Sequence, residues 1–185
     1  MRPGGRVSAA IEILEQILSR HQPVSLELQS WGKAHRFAGS GDRNAIGHMV
    51  YDALRHKASS AYIMASEAPR ALVLGAMRER GVSAADISAM CNGTDHAPEA
   101  LTADELQRLD AADLAGAPPY VAGDYPEWLH PSFGRAFGDR AAEEGRALAR
   151  RAPADIRVNT LKATREKVLK ALSDLTVRPS AVLLA

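Results

Sequence analysis

Apolar residues recur at helical spacing along most of this chain. Val7, Ala10, Ile11, Leu14, Ile17 and Leu18 follow an i, i+3, i+4, i+7 rhythm. That rhythm predicts a helix over Val7–Arg20, with Glu12, Glu15, Gln16 and Ser19 on its outer face. Gln22-Pro23 ends it, because proline disfavours helix at the residue before it. A second helix is expected over Ser25–Arg36, with Leu26, Leu28 and Trp31 inward. Gly39-Ser40-Gly41-Asp42 reads as a loop whose Asp42 caps a helix over Arg43–Arg55, carrying Ile46, Met49, Val50 and Leu54 on one side. Helical pattern resumes over Ser60–Arg80 and breaks near Pro69, and Gly81 sits where a helix stop belongs.

Beyond Gly81 the predicted helices are shorter. Ser83–Met90 is one, and Thr102-Ala103-Asp104-Glu105 has the form of a capping box opening Ala103–Leu109. Ala117-Pro118-Pro119-Tyr120 with Gly123 reads as a loop and as the domain boundary. Structure restarts at Pro126-Glu127-Trp128-Leu129, with helices over Pro131–Phe137 and Ala141–Arg151. The period then changes. Asp155-Ile156-Arg157-Val158-Asn159-Thr160 alternates apolar and polar as a strand does. Thr164 caps a further helix, and Ala181-Val182-Leu183-Leu184 reads as a second strand. The fold class expected is mainly α, followed by the β-α-β start of a small α+β subdomain. Two strands alone are marginal in water.

Composition narrows the class. The chain has 185 residues, enough for one domain or one and a fraction, with 46% hydrophobic and 24% charged residues. One cysteine excludes an internal disulfide and a zinc site built on several thiolates. No apolar run approaches membrane-spanning length, and the amino terminus lacks the apolar centre of a signal peptide, so a cytoplasmic protein is expected.

The net charge of +1 hides a polar layout. Lys33, Arg36, Arg43, Arg55 and Lys57 make one basic stretch. From Val82 to Glu127 the only basic residue is Arg108, against nine acids. From Arg135 onward the sign reverses through Arg157, Lys162, Arg165, Lys167 and Lys170. Basic ends around an acidic middle suit a polyanion touched by two surfaces, and equally suit solvated helix faces.

Candidate chemistry is sparse. Cys91 lacks an adjacent base, with Met90, Asn92, Gly93, Asp95 and His96 around it, and reads as a small core or loop residue. The six histidines never fall at i, i+4, so no helical metal pair is expected. Gly39-Ser40-Gly41 lacks both the third glycine and the preceding strand of a dinucleotide loop. Glu143-Glu144 reads as a solvated pair. Trp31 and Trp128 can stack on bases, but their surroundings favour packing.

Three segments carry a resemblance. They are Asp42–Arg55, Tyr125-Pro126-Glu127-Trp128-Leu129, and Ala152-Pro153-Ala154-Asp155-Ile156-Arg157-Val158-Asn159-Thr160-Leu161-Lys162 with its continuation to Glu166. In order and spacing they resemble the Sun/Fmu (RsmB-like) family of RNA cytosine-5 methyltransferases. The resemblance implies a NusB-like helical RNA-binding domain over 1–118. It also implies a helical linker and an incomplete RRM-like or ferredoxin-like subdomain over 124–185. The family's catalytic domain, with its S-adenosylmethionine loop and proline-cysteine nucleophile, has no counterpart here, so the chain reads as the front part of such an enzyme. Cys91 lies far upstream of that nucleophile and inherits no role.

The function this implies is recognition and positioning of ribosomal RNA, without methyl transfer by this chain alone. No cofactor is expected in the chain, S-adenosylmethionine belonging to the parent enzyme. The expected partners are RNA and the parent's catalytic domain, with no membrane. The candidate RNA contacts are Arg36, Arg43, Arg55 and Lys57 in the helical part and Arg157, Asn159 and Lys162 in the second part. Arg43 and Arg55 lie about three turns apart on one expected helix, close to one face, so that helix can span neighbouring phosphates. Strand alternation puts Arg157 and Asn159 on one side and Val158 on the other. The competing assignments are ion pairs of Arg43 and Arg55 with Asp42 and Asp52, pairing of Arg157 with Asp155, and a local turn closed by Asn159. A standalone NusB-like adaptor for RNA and a protein, and a purely protein-binding helical module, remain as alternatives.

Overall fold

The computed structural model describes residues 1–152, 154–175 and 177–179. They form two compact units, Met1–Arg150 and Arg151–Ala185. The first runs α1 (Pro3–Arg20), α2 (Val24–Ala34), α3 (Ser40–Arg55), α4 (Lys57–Met64), α5 (Pro69–Glu79), α6 (Ala84–Met90), α7 (Ala103–Ala111), α8 (Pro119–Ala122), α9 (His130–Phe137) and α10 (Ala141–Ala149). Short 3₁₀ turns precede α9 and α10. The second unit contains α11 (Arg165–Ala171).

The core of the first unit lies where α1, α3 and α5 meet. α1 contributes Val7, Ala10, Ile13, Leu14 and Ile17, α3 adds Ile46, Val50 and Ala53, and Ile87 and Leu109 close it from α6 and α7. α5 differs from these one-sided helices. Ala71 through Met77 are buried in unbroken succession, so this helix is surrounded. Close approach on one side depends on Gly75. A Cβ there would lie 2.7 Å from the Ser60 Cβ of α4 and 2.8 Å from its Cα, so the two backbones meet with no side chain between them.

Polar clamps fix the outer helices to this core. Arg70 on α5 grips Glu105 with two bonds, at 2.7 and 3.1 Å, and donates to the Glu99 carbonyl at 3.0 Å. Glu105 also completes the expected capping box, accepting from the Thr102 amide at 2.9 Å. The Arg70 hydrogen bonds hold the Glu105 carboxyl below its ordinary range. At the far side, the Asp124 carboxylate is fully buried. It accepts from the Ser59 amide at 2.8 Å, the Ser59 hydroxyl at 2.8 Å and His56 Nδ1 at 3.0 Å. Next to it, the buried Tyr125 ring stacks on Phe133 at 4.2 Å between centroids, with Gly123 and Gly145 against it. Burial pushes the Tyr125 hydroxyl up, and it stands 2.9 Å from His130 Nδ1. Arg146 of α10 pairs with the buried Glu79 of α5. The compact unit therefore continues through the Ala117–Gly123 segment, which itself winds into the single turn of α8.

Several expectations shift. Gly39, not Asp42, is the N-cap of α3, and Asp42 reaches back to the Gly39 amide at 3.3 Å. Asp42 also receives the Met1 amine at 3.1 Å and Arg6 at 2.7 Å, the amine being the larger cause of its lowered pKa. Leu26 is 56% exposed, while Leu28 packs on the core, because two residues along a helix turn a side chain by roughly 200°. The long pattern over Ser60–Arg80 does divide, but it stops at the left-handed Ala65, and Pro69 starts the next helix at a position where its missing N–H costs nothing.

The β-α-β start is corrected: among the described residues there is no strand. Residues 154–159 are irregular, and Asn159 closes a local turn, accepting from the Leu161 amide at 3.1 Å on its side chain. A strand exists only through its ladder, and the segment expected to supply one, Ala181–Leu184, lies outside the described residues. The α-helix between them is present, with Thr164 accepting from the Lys167 amide as its cap.

Two outcomes test this packing. Gly75→Ala should destabilise the protein by about 1–3 kcal/mol through overpacking against Ser60. Gly41→Ala, where nothing lies within 4 Å of the new methyl, should be neutral to about 1 kcal/mol stabilising, both read from urea unfolding. The second concerns pH. A depressed carboxyl pKa stabilises the fold above the ordinary value of about 4.3 and loses that contribution as pH falls through the depressed value. Glu105→Gln should therefore flatten the acid limb of stability against pH, measured by urea midpoints from about pH 6 to about pH 3.

Candidate nucleic-acid interface

The basic residues of the first unit divide into spent and unspent charges. Arg55 is spent. It pairs with Asp52 on its own helix, and Asp52 also binds Arg80 at 2.6 Å, so a buried carboxylate holds two guanidinium groups. Lys57 pairs with Glu67 at 3.1 Å but stays exposed. Arg36 and Arg43 are exposed and make no ion pair among the described residues, and neither does Lys33. The expected pairing of Arg43 with Asp42 does not form, because Asp42 is taken by Met1 and Arg6. Arg43 lies instead along α2, its Cδ 3.5 Å from where a Gly32 Cβ would stand.

Arg43 and Arg55 do not share a face. Twelve residues at 100° each leave them roughly 120° apart, so α3 does not present both to one phosphate row. Of the unspent cations, Arg36 and Arg43 stand at the α2–α3 junction near an aromatic series, while Lys33 is turned about 200° around α2 from Trp31. Trp31 and His35, one turn apart, stack with centroids 4.2 Å apart and planes at 14°. Phe37 meets His35 edge-on at 5.7 Å and is 72% exposed. His35 Nδ1 lies 2.9 Å from the Trp31 carbonyl, which only accepts, so the ring donates there and its tautomer is fixed.

These rings line a groove of about 770 Å³ between α1, α2 and residues 95–97. Glu12 stands on its α1 wall and accepts from Trp31 Nε1 at 3.3 Å. The opposite wall is held by the Arg2–Asp95 ion pair and by Ser8, whose hydroxyl donates to the His96 carbonyl at 2.7 Å. Asp95 and His96 both have positive φ, 50° and 67°, a costly pair of conformations outside glycine. Trp31, whose surroundings favoured packing, is buried and stacks on His35. Phe37 and Glu12 carried no signal of their own; the i, i+4 spacing of Trp31 and His35 beside three cations was the available clue. Trp128, expected to pack, is 76% exposed.

In the second unit Arg157, Asn159 and Lys162 are all exposed and Val158 is half-buried, but Ile156, which alternation would place on Val158's side, is exposed as well, so the two-sided pattern expected of a strand is not formed. Arg157 makes no ion pair with Asp155 among the described residues. The local turn anticipated for Asn159 is formed, which leaves its side-chain amide nitrogen outward for a partner. Lys167 and Lys170 extend the basic surface along α11, and Leu161 stands 97% exposed beside it.

Cys91 is buried, and that burial pushes its thiol up and away from the reactive thiolate. Among the described residues no three histidine, cysteine, aspartate or glutamate side chains converge on a metal-sized site, and no helix is long and apolar enough to cross a membrane. Gly39-Ser40-Gly41 opens α3 directly, with no strand before it, so this glycine pair is a helix start and not a dinucleotide loop.

Residues 125–184, roughly a third of the chain, match the family model described as the RsmF/B-like methyltransferase ferredoxin-like domain. This match supports a methyltransferase family of the Sun/Fmu type, and it contains the second and third segments that carried the resemblance. No curated protein and no solved structure matches the chain.

The division into spent and unspent charge is testable by stability alone. Arg55→Ala should cost roughly 1–2 kcal/mol in urea unfolding, since it strips Asp52 of one of two partners. Arg43→Ala should change stability by no more than about 0.5 kcal/mol.

Proposed function

We propose that this chain recognises and positions RNA for an S-adenosylmethionine-dependent ribosomal RNA cytosine-5 methyltransferase, and transfers no methyl group itself. The observation that carries the reading is the family match over residues 125–184. The helical unit supports it as a NusB-like RNA-binding domain, through its unspent cations Lys33, Arg36 and Arg43. The second unit adds Arg157, Asn159 and Lys162. Folded RNA is met chiefly through phosphate, shape and 2′-hydroxyl contacts, so exposed arginine and lysine supply affinity. The parent's catalytic domain is the protein partner in this reading, and the cofactor chemistry belongs to that domain. Arg55 drops from the contact set, because its guanidinium is committed to Asp52.

The self-contained packing of Met1–Arg150 favours a second reading, a NusB-like adaptor that binds RNA together with a protein. The two differ in where RNA affinity resides: the adaptor needs only the helical unit.

The test is RNA binding by the full chain across a salt series, against a small-subunit ribosomal RNA fragment, a transfer RNA and a structureless polyanion. Arg157→Ala and Lys162→Ala should each flatten the dependence of log affinity on log salt by about 0.7–0.9. Arg55→Ala should leave that slope unchanged. Binding no stronger than to the polyanion would overturn the proposal. A preference for folded RNA that ignores both second-unit variants would favour the adaptor.

A further inference from the structure

We infer that the groove between α1, α2 and residues 95–97 is a pocket for one unpaired guanine of an RNA strand, stacked on Phe37 and held at its edge by Glu12. The inference rests on the RNA reading above and gives it a specific base contact.

Four observations converge. The groove, at about 770 Å³, falls in the size range of small-molecule and base pockets. Phe37 lines it with most of its ring uncovered, and the ring is braced by the Trp31–His35 stack instead of standing alone. An exposed phenylalanine costs solubility unless something covers its face, and a base is a flat, sequence-tolerant cover. Glu12 supplies discrimination. Its carboxylate accepts only, and Trp31 Nε1 occupies one lone pair of Oε2, which orients the group and leaves Oε1 unbound among the described residues. Guanine is the base that offers two neighbouring donors, N1–H and the N2 amino group, on its pairing edge. Adenine and cytosine place an acceptor beside their amino group, and uracil flanks its single N–H with carbonyls, so each sets an oxygen or nitrogen lone pair against the carboxylate. Finally, Arg36, next to Phe37 in the chain, and Arg43, against Gly32 of α2, make no ion pair among the described residues, and a phosphate beside an inserted base would find them. The paired positive φ values of Asp95 and His96, anchored by Arg2 and Ser8, keep the far wall fixed.

The experiment titrates the full chain into fluorescein-labelled UUGUU, UUAUU and UUUUU, read by anisotropy at constant low salt. UUGUU should bind about tenfold or more tightly than the other two. Phe37→Ala should weaken UUGUU by about tenfold or more, and Phe37→Trp should restore it. Glu12→Gln should erase the preference for guanine and leave UUUUU unchanged. Cooperative urea unfolding at the midpoint of the parent chain shows that these surface variants are folded. Equal affinity for the three RNAs, or indifference to both variants, overturns the pocket. So does a groove that answers only to added peptides. If the pocket fails while folded RNA still binds with a slope set by Arg157 and Lys162, the RNA reading stands without it. If folded RNA also fails to exceed the polyanion, both fall.

Discussion

A helix buried on every side dictates most of this structure. α5 hides seven consecutive residues, so it has no face to give to water and needs a neighbour in each direction. α1 and α3 supply the apolar walls. α4 comes closest, which is possible only because Gly75 lets backbone meet backbone. The polar ends of α5 then become the anchor points for everything laid outside it. Arg70 near its start holds α7 and the segment before it, and Glu79 at its end holds α10. One apolar helix thus organises the whole first unit by what its two termini can hold.

That organisation uses up much of the molecule's charge. Arg6, Arg55, Arg70, Arg80 and Arg146 all serve as clamps between elements or on them. A basic residue in the sequence is therefore not automatically a ligand contact. Arg36 and Arg43 at the α2–α3 junction and Arg157 and Lys162 in the second unit are among the cations left without an acid in the described residues.

The helices were legible because their causes are local. Apolar rhythm, the Thr102–Glu105 box, Pro69 and Gly81 each act within a few residues, and each fell where its chemistry required, give or take a turn. What was not legible depends on partners distant in sequence. Asp42 was a cap on paper, but its carboxylate was claimed by Met1 and Arg6. For Arg55 the sequence offered a phosphate contact or a pair with Asp52; the pair forms, and Arg80, distant in sequence, joins it. The strand over Asp155–Thr160 needed a ladder that local pattern cannot supply. The groove required a turn, two helices and a loop to meet, so Glu12 was visible only as an outer-face acid and Phe37 not at all.

The buried carboxylate of Asp124 bears on how such a chain is divided. The family match opens at Tyr125, one residue after it. The packing shows no break at that point, since Asp124 fills a site made by Ser59 and His56. A cut between 124 and 125 would part Asp124 from its neighbour Tyr125, whose ring packs on Phe133. The matched stretch and the packed unit overlap by two helices, α9 and α10. Removing residues 125–184 would strip those helices away and leave the helical unit open on one side.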